Sequence, residues 1–220
     1  MDILEAIKER HSVRRYIDRK IEDDKKETLE KVISDINSST GLHIQLVTEE
    51  PEGFSGMMAH YGNFEGVRNY IVMAGPKNMD REIGYYGEKV VLCAQMLGLN
   101  TCWVAMTFNK RKAQYKLEKG EKMYVVISLG YGSYQGKERK SKSISEVTDT
   151  YENCPEWYKN GIDAALLAPT AMNQQKFHFS LSGDKVISKF DRGFYAEMDL
   201  GIVQYHFDIA SGRENFGLKV

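Results

Sequence analysis

Cysteine and proline are scarce in this 220-residue chain, and an excess of charge of either sign is missing. Three cysteines (Cys93, Cys102 and Cys154) make an odd number without C-x-x-C spacing, which excludes a disulfide framework and a zinc knuckle. Four prolines and no low-complexity tract argue against extended disorder. Thirty basic side chains stand against thirty-one acidic ones, a net charge of −1. The bulk electrostatic reason to expect nucleic acid or an anionic membrane is therefore gone, and any basic site is local. The one long uncharged run, Val90 to Asn109, is broken by Gln95, Gly98, Asn100 and Thr101. It reads as a buried helix followed by a buried strand, not a membrane span. The acidic start, Met1-Asp2-Ile3-Leu4-Glu5, is not that of a signal peptide, so a cytoplasmic protein is the expectation. His11, His43, His60, His178 and His206 never fall at H-x-x-x-H, and G-x-S-x-G does not occur. Neither a metal site nor nucleophilic hydrolysis is indicated, and no catalytic side chain is assigned.

With 42% hydrophobic and 28% charged residues, the composition is that of a globular protein with a sizeable core. The spacing predicts a first helix from a D-x-x-E capping box at Asp2 and Glu5, with Ile3, Leu4 and Ile7 on one face, stopping near Arg10–His11. A second helix starts at Asp24, carries Leu29, Val32, Ile33 and Ile36 inward, and is ended by the run Asn37 to Gly41. Leu42, Ile44 and Leu46 alternate with His43 and Gln45 as a strand, and 53–66 reads as a loop or short helices. Strands are expected at Tyr70–Ala74, Cys102–Ala105, Tyr124–Leu129 and Phe177–Leu181. Helices are expected at Gly84–Leu97, from about Pro155, and from about Met198 to Ser211. Residues 136–153, polar and rich in lysine and serine, form the linker between an N-terminal half (1–135) and a C-terminal half (154–220). Helix, polar loop, short strand and a later apolar helix occur before the linker and again after it. We read this order as a degenerate internal duplication.

Two segments can carry chemistry. Arg10-His11-Ser12-Val13-Arg14-Arg15 places three guanidinium groups and a hydroxyl at a helix end. Fixed forks of donors suit a phosphate, and a solvated basic turn is the competing reading. Ala168-Pro-Thr-Ala-Met-Asn-Gln-Gln175 combines a tight turn with a hydroxyl and three amides. Such neutral groups suit the polar edges of a cofactor, and a plain helix-to-strand loop is the alternative. Gly130-Tyr-Gly132, with Gly136 beyond, follows a strand but lacks both the spacing and the apolar helix of a dinucleotide-binding turn.

In order along the chain, these segments resemble the FMN-dependent nitroreductase family. RHSVRR is similar to its R-x-S-x-R opening. APTAMNQQKFHF resembles its A-P-S-x-x-N-x-Q-P-W-x-F loop, GEKVVLCAQMLGLNTCWVA its central helix, and VVISLGY the strand that closes its sheet. The resemblance implies an α+β fold, with a mixed, mainly antiparallel sheet flanked by helices. In the ordinary family the A-P-S loop follows the first motif by about one helix. Here INSSTGLHIQLV holds that place, the matching loop comes after the linker, and Lys176-Phe177 replaces Pro-Trp. The ordinary enzyme is a homodimer whose flavin lies between subunits. The order here resembles a subgroup in which one chain imitates the dimer, so a pseudo-dimeric monomer or a homodimer is expected.

Carried over residue by residue, the resemblance places Arg10 and Arg14 at the phosphate and at the ribityl or pyrimidine side, with His11 and Ser12 between them. Arg139 and Lys140 match a basic pair that reaches the phosphate. Val104, Ala105 and Met106 offer backbone toward the flavin, and Ala168, Pro169, Thr170 and Asn173 lie against it from the other half. The implied function is transfer of hydride from NAD(P)H through FMN to a small-molecule acceptor such as a nitroaromatic or quinone. The alternative is an FMN-binding protein without efficient reductase activity. A nucleic-acid module built on RHSVRR conflicts with the near-neutral charge.

Overall fold

A computed structural model describes residues 1–216; the last four residues of the expected C-terminal half lie outside the described residues. Helix α1 (Ile3–Glu9) opens on the expected capping box, Asp2 accepting from Glu5 N at 2.9 Å while Glu5 accepts from Asp2 N at 3.0 Å. It stops because Arg10 turns extended. Helix α2 (Asp23–Thr40) takes in the polar run 37–40, whose Ser39 and Thr40 hydroxyls bond back to Asp35 and Ile36 carbonyls. Gly41, in the left-handed region at φ 71°, ends it.

Four strands form one antiparallel sheet in the order β1-β2-β4-β3: β1 (Gln45–Val47), β2 (Asn69–Pro76), β3 (Asn100–Val104) and β4 (Glu121–Gly130). Leu42 and Ile44 are buried as their alternation requires, but the chain joins the ladder only at Gln45. One face of the sheet packs Ile71, Met73 and Ile127 against Leu29, Ile33 and Val90. The other packs Tyr70, Val72 and Val126 against Val13, Phe54 and Phe108. Each such fully buried side chain is worth roughly 1.5–3 kcal/mol of transfer free energy. After the short helix α3 (Met57–Tyr61) and the sheet, the chain forms α5 (Glu156–Ala165) and a separate hairpin of β5 (Phe177–Ser182) and β6 (Lys185–Phe190). Phe177, Phe179, Tyr158 and Phe207 make a third core there.

The junction of the halves is helix on helix. Helix α4 (Asp80–Met96) begins one turn before the glycine expected to start it, and α6 (Ala196–Ser211) begins two residues before Met198. Gly84 is interior because α6 leaves it no room: a Cβ there would stand 2.0 Å from Met198 O. A Cβ on Gly201 would stand 2.0 Å from Arg81 O. Each glycine thus stands three residues beyond the carbonyl of its own helix that touches the other glycine, a reciprocal contact. The segment 136–153, expected as a linker, has its second part packed. Val147 is fully buried, its carbonyl accepts from Phe179 N at 2.8 Å, and Thr148 lies 2.9 Å from the Tyr158 hydroxyl. Among the described residues no helix is long and apolar enough to cross a membrane.

Candidate functional site

The segment after α1 is laid along the sheet edge as an extra strand. Val13 N donates to Thr101 O at 3.0 Å, Glu65 N to Arg14 O at 3.0 Å, and Tyr16 N to Glu65 O at 2.9 Å. Val13 is fully buried, and the Tyr16 hydroxyl donates to Val13 O at 2.7 Å beneath the sheet. Extended backbone sends alternate side chains to opposite sides, so with Val13 inward Ser12 and Arg14 face the same space. That space is a cavity of about 640 Å³ shared between the halves. Arg10, Arg14, Arg15, Lys137 and Arg139 supply five cationic side chains to its lining, which contains no carboxylate. Across it stand Pro169, Thr170, Met172 and Asn173.

Arg139 is held by carbonyls alone, Leu166 O at 3.2 Å and Ala168 O at 2.6 Å. Burial, and then the charge of Arg10, push its pKa down to about 10. Burial, Arg10 and Arg139 likewise hold His11 below its ordinary value. Arg10 is only 2% exposed, and the Nε groups of both Arg10 and Arg139 are buried without a hydrogen-bond partner among the described residues. Donors left unsatisfied beside a concentrated positive charge are suited to a dianion.

Ser12, Arg14, Pro169, Thr170 and Met172 also wall a second cavity of about 410 Å³, so the two spaces adjoin across shared walls. Its lining is mostly apolar: Trp103 to Met106 at the end of β3 on one side, Phe194, Tyr195, Met198 and Ile202 around the start of α6 on the other. The one carboxylate in it is Asp199. Burial raises that group to about pH 6, against the opposing hydrogen bonds of Gln174 and Ala171 N. These bonds serve the loop 168–175. Ala171 N donates to Asp199 at 2.9 Å and Gln174 Nε2 at 2.8 Å, while Asn173 and Gln175 amides both reach Lys140 O. The loop needs such anchors, because Met172, Asn173 and Gln175 are all left-handed at φ 52°, 53° and 46°. Strained residues of this kind cost about 1–3 kcal/mol each.

Of the residues singled out in the sequence, Arg10, His11, Ser12, Arg14, Arg139, Pro169, Thr170 and Asn173 line the cationic cavity, and Val104, Ala105 and Met106 the apolar one. Ala168 is fully buried behind the loop and contributes its carbonyl to Arg139. Lys140 lines neither space; its backbone carries the loop, and Lys137 enters the cavity instead. Gly136 is not part of a phosphate turn but a close approach, where a Cβ would stand 2.4 Å from that of His11. Sequence reading missed Asn63 and Tyr134 at the rim, Asp199, and the ion pair behind Arg10 made by Glu88. Among the described residues no group of three or more His, Cys, Asp or Glu is placed to hold a metal ion.

A family profile described as "Putative TM nitroreductase" matches residues 2–211. Three solved structures to which the chain is similar are each described as putative. The first is a nitroreductase from Thermotoga maritima, 24% identical over 96% of this chain and 83% of that one, with a TM-score of 0.66. The second is a nitroreductase in complex with FMN from Desulfovibrio desulfuricans, 16% identical over 66% and 94% of the two chains, TM-score 0.50. The third is an NADH dehydrogenase/NAD(P)H nitroreductase from Bacteroides thetaiotaomicron, 18% identical over 66% and 95%, TM-score 0.50. At these identities the likeness concerns the fold. Comparison with curated proteins gives no match.

Proposed function

The chain belongs to this nitroreductase family, and on that premise we propose that it is an FMN-dependent oxidoreductase that takes hydride from NAD(P)H and passes it to a nitroaromatic, quinone or similar acceptor. The observation that carries the reading is the union of an acid-free cationic cavity with an apolar slot, walled by both halves of the chain. A phosphate monoester on a flat ring is the ligand chemistry that fits both at once. The relative solved with FMN supports the choice of ring.

In this reading Arg14, Arg10, Arg139 and Lys137 compensate the phosphate, the buried Nε groups of Arg10 and Arg139 having no hydrogen bond among the described residues to give up. Ser12 and Thr170 line both cavities and hydrogen-bond the polar chain between phosphate and ring. His11, held below its ordinary pKa by burial and by Arg10 and Arg139, lines the same cavity beside the arginines. Pro169 and Asn173 close the site from the C-terminal half, and the backbone of Val104, Ala105 and Met106 faces the ring. When bound, FMN supplies the redox chemistry, accepting and delivering hydride, so no strong acid or base is asked of the protein. The exposed Met172 and Phe194 at the slot mouth give an adaptable apolar rim for flat acceptors. We place the protein in the cytoplasm, in keeping with its three free thiols.

The test is the chromophore. Purified protein is expected to release FMN, not FAD, because no Gly-rich turn opens a helix for a pyrophosphate. Mass analysis showing FAD, or no binding when FMN is offered, sinks the assignment. Steady-state NAD(P)H oxidation with an added quinone then separates an oxidoreductase from a protein that only holds the flavin.

A further inference from the structure

Glu88 is a fully buried carboxylate on α4, reached from three other parts of the chain. Trp103 Nε1, at the end of β3, donates to it at 2.9 Å. His206 Nε2, on α6, lies 2.9 Å from its other oxygen, and Arg10 Nε, just past α1, lies 3.7 Å from that same oxygen. His206 Nδ1 in turn lies 3.1 Å from Ala164 O on α5. Both ring nitrogens of His206 therefore face oxygen atoms, so the ring bridges α4 and α5 from α6. Burial alone would raise the Glu88 carboxyl, yet His206, Arg10 and Trp103 together hold it below the ordinary value.

Two of these partners are walls of the site: Arg10 lines the cationic cavity and Trp103 the apolar one. We infer that Glu88 is a positioning residue for the cofactor site, holding Arg10 and Trp103 in their walls from within the junction of the two halves. The inference rests on the FMN reading above. A buried charge cluster is weak evidence for stability, since well-packed apolar residues often serve a fold as well. What an apolar residue could not do here is keep a guanidinium in place that is itself almost wholly buried beside a second one, Arg139, which carries no carboxylate partner of its own.

Two effects of removing Glu88 oppose each other. Deleting a negative charge behind a cationic cavity strengthens its attraction for an anion. Leaving Arg10 unpaired in a dry position drives it out of that position, because an unpaired buried charge is far more costly than a solvated one. The near-complete burial of both groups decides for the second, so binding weakens.

The experiment is a double-mutant cycle on the FMN dissociation constant of the apoprotein, with Glu88→Gln, Arg10→Ala and the double variant. Glutamine keeps the shape and can accept from Trp103 while its amide still faces His206. Glu88→Gln is expected to raise the dissociation constant about tenfold in the native background and less than twofold when Arg10 is alanine, the non-additivity of residues that act through one another. Unchanged or tighter binding by Glu88→Gln, or an equal loss in both backgrounds, overturns the inference; a purely structural ion pair would lower the unfolding temperature and do just that. If Glu88→Gln does not fold, His206→Gln takes its place. It touches neither cavity and is expected to weaken binding about threefold, again only while Arg10 is present. A native protein that binds no FMN fells the functional reading and this inference with it. Native binding with no effect of either variant fells the inference alone.

Discussion

Arg14 and Arg15 are adjacent and chemically identical, yet the fold gives them different work. Arg14 borders both cavities, whereas Arg15 stands at the cationic rim with its side chain 61% exposed, 3.8 Å from Glu65. An exposed pair of that kind is worth little. Arg14→Ala is therefore expected to weaken FMN binding by about ten- to a hundredfold, the loss of a charge-assisted hydrogen bond at ~1.5–3 kcal/mol. Arg15→Ala should stay within a few-fold in the same titration. Equal effects would return RHSVRR to the status of a solvated turn. Asp199 carries the opposite sign and a different cost. Its folded pKa, about 6, is raised above that of the unfolded chain, so the stabilisation from its protonated form is complete below about pH 4 and lost as the pH rises through 6. Near neutrality the ionised group costs on the order of 3 kcal/mol, in exchange for fixing Ala171 and Gln174 in the loop. Urea unfolding of Asp199→Asn should then move in the variant's favour, relative to the native protein, between pH 4.5 and pH 7.5. A difference that does not change with pH refutes the burden assigned to this carboxylate. The arginine run was legible because its side chains are sequence neighbours in an extended segment. Asp199 was not, since in sequence it is one more acid in a helix's first turn, and only the packed loop makes it part of a wall.

At the level of elements, the strands and helices with clear periodicity stand where their patterns put them, and the boundary errors have two causes, one tertiary and one local. Glycine in Gly84 reads as a helix start because it lacks intrinsic helical preference. In the fold it is the contact point of α4 with α6, the backbone of one helix occupying the place of the other's Cβ. Gly201 is the same device seen from α6. The polar run Asn37 to Thr40 reads as a terminator, yet hydroxyl back-bonding keeps it helical until Gly41 can turn left-handed. The α4–α6 proximity, unlike that local bonding, leaves no trace in the neighbouring sequence. Glu88 and His206 show it most plainly: 118 positions separate them, and each looks like an ordinary residue of its own helix. The site's outer layer could be read from two short motifs, while its support could not.

For the whole molecule, the α4–α6 crossing, where Gly84 meets Met198 O and Gly201 meets Arg81 O, joins the segment before 136 to the segment after 153. The arginine motif lies only in the first half, and the loop that faces it across the cavity only in the second. Under the proposed function each chain has the parts for one site, and within one chain these parts line two adjoining cavities. The competing arrangement exchanges the C-terminal half between two chains, with 136–153 as the hinge, and makes the dimer obligatory. Arg14→Ala and Asn173→Ala damage opposite walls of the site, so mixing the two variants after unfolding and refolding them together tells the arrangements apart. In the closed arrangement every site keeps one defect, and FMN binding by the mixture stays as weak as in the separate variants. With exchanged halves, about a quarter of the sites would pair two sound walls and about a quarter two damaged ones, by random association of a two-chain site. The expected outcome is no recovery of tight binding. Tight binding by about one site in four would show instead that the cavity is completed by a neighbour, and that the linker passes from one molecule to the next.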